Sequence, residues 1–156
     1  MNTKNVEASF QLVSTFVSEL SVKNSFFSYD ERIPGDKKID VAYSIPREPI
    51  TKDGKIVGTL SLQIRVMSKI EEDLLHLELV LNGCFTDEGS DAEAFKNLLR
   101  LNGCVALYSI ARATVNSVSS QLFSVGNIVL PMVNFIKFRQ MEEDEIKARA
   151  QAAQPE

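Results

Sequence analysis

The chain has 156 residues, 44% of them hydrophobic and 24% charged, with a net charge of −4, a length and composition that suit one globular domain burying roughly two-thirds of its unfolded surface. Its acidic balance and scattered Lys and Arg exclude the clustered basic face of a nucleic-acid binder. No run reaches the roughly 18 apolar residues of a membrane helix and "MNTKNVEASF" lacks a signal-peptide apolar region, so the cytoplasm is the expected location.

Residues 10–22 alternate, with Phe10, Leu12, Phe16, Leu20 and Val22 on one parity and Gln11, Thr15, Glu19 and Lys23 on the other. Period two predicts a long strand with one apolar face. "KIDVAYSI" follows, with Ile39, Val41, Tyr43 and Ile45 aligned, then "IVGTLSLQIRV" with Ile56, Leu60, Leu62, Ile64 and Val66. The fourth is "LLHLELVLN", with Leu75, Leu77, Leu79 and Leu81 opposite His76, Glu78 and Asn82. "TKDGK" signals a tight hairpin because Gly54 accepts positive φ, and "MSKIEED" closes the next one. Four sequential strands predict an antiparallel meander that buries one face.

After "TDEGSD" the period changes to helical. Asp91 caps a short helix through Leu101, Gly103 is expected to interrupt it, and "CVALYSIARATVNSVSSQL" continues. Its apolar stripe carries Val105, Ala111, Val115, Val118 and Leu122. Asn134 caps a last helix with Phe135, Phe138, Met141 and Ile146 on one stripe, supported by Glu143–Lys147 and Glu145–Arg149 at i,i+4. The fold class is therefore α+β, a four-stranded sheet layered with a long helix and a C-terminal helix. Residues 1–150 form one domain and 151–156 a frayed tail.

Nothing in this pattern performs catalysis. His76 lies mid-strand on the polar parity without triad or ligand partners, and is expected to be an exposed strand histidine. "DEGSD" lacks the spacing and the lysine of a phosphate loop. Glu71, Glu72 and Asp73 read as a solvated hairpin tip, and Asp87, Glu88 and Asp91 as a flexible acidic loop. Cys84 and Cys104, with no CxxC, are expected to be buried reduced thiols rather than a disulfide or zinc site. No metal, cofactor or catalytic residue is expected.

The unusual segments are two connections. "NSFFSYDERIPGDKK" places Phe26, Phe27 and Tyr29 between strands one and two, and "SVGNIVLPMVNFIKF" is apolar despite Gly126 and Pro131. Connections normally run over the surface and are polar. Either these two fill the core, or they border an apolar groove that accepts extended peptide.

The collinear series "ASFQLVSTFVSELSV", "KKIDVAYSI", "LELVLNGCF" and "LYSIARATVNSVSSQLFSVGNIVLPMVNF" resembles the SecB-like chaperones. These are the tetrameric export chaperone SecB and the related chaperones of toxin–antitoxin modules. The likeness spans about residues 8–140. It implies a homotetramer, a dimer of dimers built on the long helix, for which Val105, Ala111, Val115 and Val118 are the candidate interface. It also implies apolar grooves for unfolded clients, with Ile39, Val41, Tyr43, Phe135 and Phe138 as groove positions; Phe26 and Phe27 join them on composition.

The resemblance further implies a docking face for the translocation ATPase SecA on the flat outer sheet, at acidic positions matched here by Glu19 and Glu78. Lys23 reverses the third charge, and the proline of "LPMVNF" stands one residue earlier than the family has it. The resulting expectation is an ATP-independent holdase with a dedicated client such as an antitoxin. The alternatives are general export through SecA, a small-molecule binder with a closed apolar pocket, and a purely structural oligomer.

Overall fold

The computed structural model describes residues 8–30 and 35–152. Within them the chain forms β1 (Gln11–Asn24), β2 (Asp36–Ser44), β3 (Ile50–Lys52), β4 (Lys55–Ile70) and β5 (Asp73–Glu88). Helices α1 (Ala92–Leu98), α2 (Cys104–Leu122) and α3 (Phe135–Ala152) follow. The architecture is α+β, an antiparallel sheet layered with helices. The three-residue β3 is additional to the expected strands; it pairs with the start of β4 across Asp53 and Gly54. Both turn residues have positive φ, 52° and 76°, as a two-residue type I′ hairpin requires.

The sheet order is β1-β5-β4-β2, with β3 beside β4. The expected meander therefore runs through β2, β4 and β5, and the crossover carries β1 to the far edge, where it pairs with β5 from Gln11↔Thr86 to Asn24↔Leu75. β4 and β5 alternate buried and half-buried residues along almost their whole length. Leu60, Leu62, Ile64 and Val66 face the helices together with Leu75, Leu77, Leu79 and Leu81. Helix α2 rests on these two central strands.

β1 departs from the strict alternation of its sequence. Bulges between Leu12 and Ser14 and between Val17 and Glu19 each add a residue, and each slip flips the side chains that follow. Leu12 and Val22 keep to the helix side, opposite Phe85 and Leu77. Phe16 instead pairs with Asn82 on the outer face, 63% exposed, and Val17 takes the helix side opposite Leu81. Val13, Val17 and Leu20 are exposed as well.

Gly103 does not interrupt the helical run. Leu99–Gly103 forms a π-helical turn that joins α1 to α2, and Gly103 has ordinary helical angles of −62° and −47°. It is buried against Leu60, so a small residue serves packing there and not a break. Both expected caps are present: Asp91 Oδ1 accepts from Ala94 N at 2.8 Å, and Asn134 Oδ1 accepts from Lys137 N at 3.1 Å. The Glu145–Arg149 pair forms at 3.9 Å, whereas Glu143 is held by Arg139 at 3.0 Å.

The two apolar connections bind one another. Ser28 and Val125 form a parallel bridge; Tyr29 N donates to Val125 O and Ser124 N to Phe27 O, both at 2.9 Å. Tyr29 stacks on Phe123 at 5.1 Å and meets Phe26 edge-on at 6.0 Å. Gly126, at φ 95°, allows the approach: a Cβ there would stand 1.9 Å from the Tyr29 carbonyl oxygen. Further along, Ser119 Oγ accepts from Ile128 N at 2.8 Å, and Ile128 and Leu130 are buried. Residues 31–34 of the crossover lie outside the described residues.

Candidate functional site

β2 closes one side of the sheet, and among the described residues its outward edge has no strand partner. Its pairing places Ile39, Val41 and Tyr43 opposite Val66, Ile64 and Leu62, which are core residues of β4. The three therefore share the helix side, and all are half-buried. Helix α3 provides the facing wall. Phe138 lies against Tyr43 with ring centroids 6.1 Å apart, and the Tyr43 hydroxyl donates to Glu142 Oε2 at 2.6 Å. The result is an apolar trough bounded by an open strand edge and a helix, wet on its outer side.

α3 is seated from below. Phe135 is 4% exposed and meets Tyr108 edge-on at 5.5 Å. The Tyr108 hydroxyl donates to Pro131 O at 2.7 Å, and Arg112 Nε donates to Leu130 O at 3.0 Å. These bonds satisfy carbonyls of an irregular segment that would otherwise lack partners, so the apolar connection can lie against α2. Arg139 Nη2 donates to Asn97 Oδ1 at 3.2 Å and ties α3 to α1. Beyond Glu142 every residue of α3 is exposed.

Burial shapes the acid–base behaviour of the trough. Desolvation first, and the Glu142 hydrogen bond second, push the Tyr43 phenol well above its ordinary value. Cys104 is fully buried beneath it, and burial, assisted by the Glu142 charge, pushes its thiol up to about 12. At neutral pH both groups are uncharged, and neither is an activated nucleophile. Cys84 is half-buried on the outer face. Among the described residues no group of His, Cys, Asp and Glu could hold a metal ion, and no helix is long and apolar enough to cross a membrane.

The structure brings together some of the residues singled out from the sequence and separates others. Ile39, Val41, Tyr43 and Phe138 meet in the trough. Phe135 lies under it, in the core. Phe26 is also a core residue, at 8% exposure, and meets Tyr29 edge-on away from the trough residues. Its neighbour Phe27 is 81% exposed, at the seam of the two connections. Of the four positions named for the oligomer interface, Ala111 and Val115 are buried in the protomer's own core, Val105 is exposed and Val118 half-buried. Sequence reasoning missed Glu142, which accepts from the Tyr43 hydroxyl; the signal was its i+4 spacing from Phe138.

The outer face carries the three charged positions. Glu78 accepts from Arg65 Nε at 3.1 Å and from Gln63 on the neighbouring strand. Arg65 first among these contacts holds the Glu78 carboxyl below its ordinary value. Glu19 pairs with Val80, and Lys23 stands opposite His76. His76 is half-buried rather than exposed, and its Nε2 is covered and without a hydrogen-bond partner. Asp87 belongs to β5 and not to a loop; it is buried and accepts from the Ser90 hydroxyl.

No protein-family model matches the chain, and no curated protein matches it. Among solved structures it is similar to the Mycobacterium tuberculosis Rv1957 SecB-like chaperone in complex with a ChAD peptide from the Rv1956 HigA1 antitoxin. The TM-score is 0.62 and the identity 13%, over 80% of this chain and 91% of that one. It is also similar, at TM-score 0.45 and 11% identity, to a Streptococcus agalactiae protein of unknown function, over 79% of this chain and 97% of that one. The chain has the fold of the SecB-like chaperone.

Proposed function

We propose that the protein is an ATP-independent holdase that binds unfolded polypeptide in the trough between β2 and α3. The observation that carries this reading is the half-buried row Ile39, Val41 and Tyr43 on an edge with no partner strand among the described residues, faced by Phe138. An extended client laid beside β2 gains main-chain hydrogen bonds, and its alternate side chains enter the apolar side, so affinity does not demand one sequence. Phe27, exposed near the start of the crossover, adds apolar surface available to such a chain. No catalytic step is involved. The nearby depressions suit this better than a small-molecule site: one of about 450 Å³ is lined by Lys37, Lys38, Met67, Lys69 and Leu74 and lies open on the surface.

The client we assign is a dedicated one, an antitoxin with an apolar tail; the antitoxin peptide held by the similarly folded Rv1957 supports that choice. General export through SecA is the second reading. The outer face favours it less, because Glu78 is already engaged by Arg65 and Lys23 stands on the same side as Glu19. We assign the assembled state as a homotetramer. The exposed β1 edge, with Val13, Val17 and Leu20 uncovered, supports association of protomers along that strand and along the Val105 and Val118 flanks of α2.

The deciding experiment is suppression of aggregation of an unrelated denatured protein without nucleotide. Val41→Ser and Phe138→Ser should abolish suppression while the oligomer stays intact. Absence of suppression at stoichiometric tetramer ends the holdase reading. Dissociation of the oligomer by either variant would assign those residues to an interface.

A further inference from the structure

Met132 stands at the tip of the connection between α2 and α3, 81% exposed. An exposed thioether is ordinary, but this one has a partner. Arg112 Nη1 donates to Met132 Sδ at 2.9 Å, while Arg112 Nε donates to Leu130 O at 3.0 Å. A single guanidinium, half-buried on the flank of α2, thus grips one connection at two points. Among the described residues no carboxylate pairs with Arg112. Its charge is directed at a sulfur, which is a weak acceptor.

We propose that Met132 is a site of oxidation by hydrogen peroxide, with Arg112 as the group that holds the sulfoxide. The sulfur lone pair attacks the distal oxygen of the peroxide. The S–O bond forms as the O–O bond breaks, the sulfur loses two electrons, and the remaining oxygen leaves as water with the proton of the transferred hydroxyl. The product oxygen carries strong negative polarisation and lies within reach of Arg112 Nη1. A weak N–H···S contact becomes a charge-assisted N–H···O bond. Sulfoxide formation generally loosens structure by placing a polar group among apolar ones. Here the sulfur is already in water and beside a cation, so oxidation tightens the connection that seats Phe135 and the start of α3. This inference does not depend on the holdase reading, since it concerns only α2, α3 and the segment between them.

Met141 supplies an internal control. It is 57% exposed on α3, and no donor meets its sulfur among the described residues. Treatment of the full chain with dilute hydrogen peroxide, followed by peptide mass mapping, should add one oxygen at Met132 well ahead of Met141. Arg112 donates to the sulfur whose lone pair must attack, so in Arg112→Ala the rate at Met132 should rise several-fold, with Met141 unchanged. Because Arg112→Ala also frees the Leu130 carbonyl, a second pair of variants keeps the test independent of folding. Met132→Gln places an amide oxygen where the sulfoxide oxygen would stand, and should melt higher than Met132→Leu. Equal rates at Met132 with and without Arg112, or equal melting of the Gln and Leu variants, would overturn the assignment.

Discussion

At the scale of single residues, three positions carry consequences that can be measured. Gly126 combines positive φ with a carbonyl 1.9 Å from where a Cβ would stand, so Gly126→Ala must displace the crossover. The expected cost is about 3 kcal/mol, which for a chain of this size lowers the melting temperature by roughly 6–12 °C. Gly54→Ala is the matched control: its φ is also positive, but nothing lies within 4 Å, and it should cost about 1 kcal/mol. A larger loss at Gly54 than at Gly126 would contradict the packed seam between the two connections. Tyr43 and Cys104 give a pH signature. Both favour their neutral forms in the fold and have raised values, so their contribution is complete below the ordinary thiol value of 9.0 and phenol value of 10.0. It is lost as pH rises beyond those values toward the folded ones. Stability measured by denaturant titration should therefore fall from about pH 9 upward, and Tyr43→Phe should flatten the part of the slope above about pH 10. Alkylation of the native protein should mark Cys84 and leave Cys104 unmodified until the chain is unfolded.

At the scale of elements, β4 and β5 were legible because strict alternation, with an aliphatic residue at nearly every second position, leaves one solution for a half-buried strand. The caps at Asp91 and Asn134 were legible for a similar reason, since a short acceptor side chain before an apolar run has a local partner. β1 was misread in its middle because bulges are set by pairing with β5, which a local pattern does not contain; the outward turn of Phe16 is the result. The joining of α1 to α2 through Leu99–Gly103 was hidden because a glycine reads as a breaker unless the close approach of Leu60 is known. The trough was legible in part: Ile39, Val41, Tyr43 and Phe138 follow from periodicity and from resemblance. The burial of Phe26, Ala111 and Val115 in the protomer's own core was not legible, because an apolar residue looks the same whether its partner is its own core or another chain. α3 yields a prediction at this scale. Its residues after Glu142 are all exposed, so their amides should exchange rapidly in the isolated protomer, and truncation after Glu145 should change stability by less than about 0.5 kcal/mol. Protection of that half in the native assembly would identify it as a buried interface between copies.

At the scale of the whole molecule, the sheet has two different faces and two different edges. The helix-side face is filled over β4 and β5 and partly open over β1 and β2, while the outer face is mostly polar, with Glu78 paired to Arg65 and Phe16 exposed on β1. For docking of SecA, the proposal predicts weak binding or none, because Lys23 faces the same partner surface as Glu19 and Arg65 neutralises Glu78. Lys23→Glu should strengthen any such binding, most clearly at low salt, where exposed charges are least screened. Micromolar or tighter binding by the unaltered protein in a calorimetric titration would return it to general export.

The placement of β1 beside β5 has a consequence for the order in which the chain can form. β1 ends at Asn24, and its partner does not begin until Asp73; the bridge that fastens the crossover joins Ser28 to Val125. During synthesis, at roughly 5–20 residues per second, the first strand emerges several seconds before anything it can pair with. Its bare apolar positions must wait through the whole of β2, β3 and β4. Such long-separation pairing is slow to close, so a nascent chain of this protein is for that interval an unfolded client in its own right.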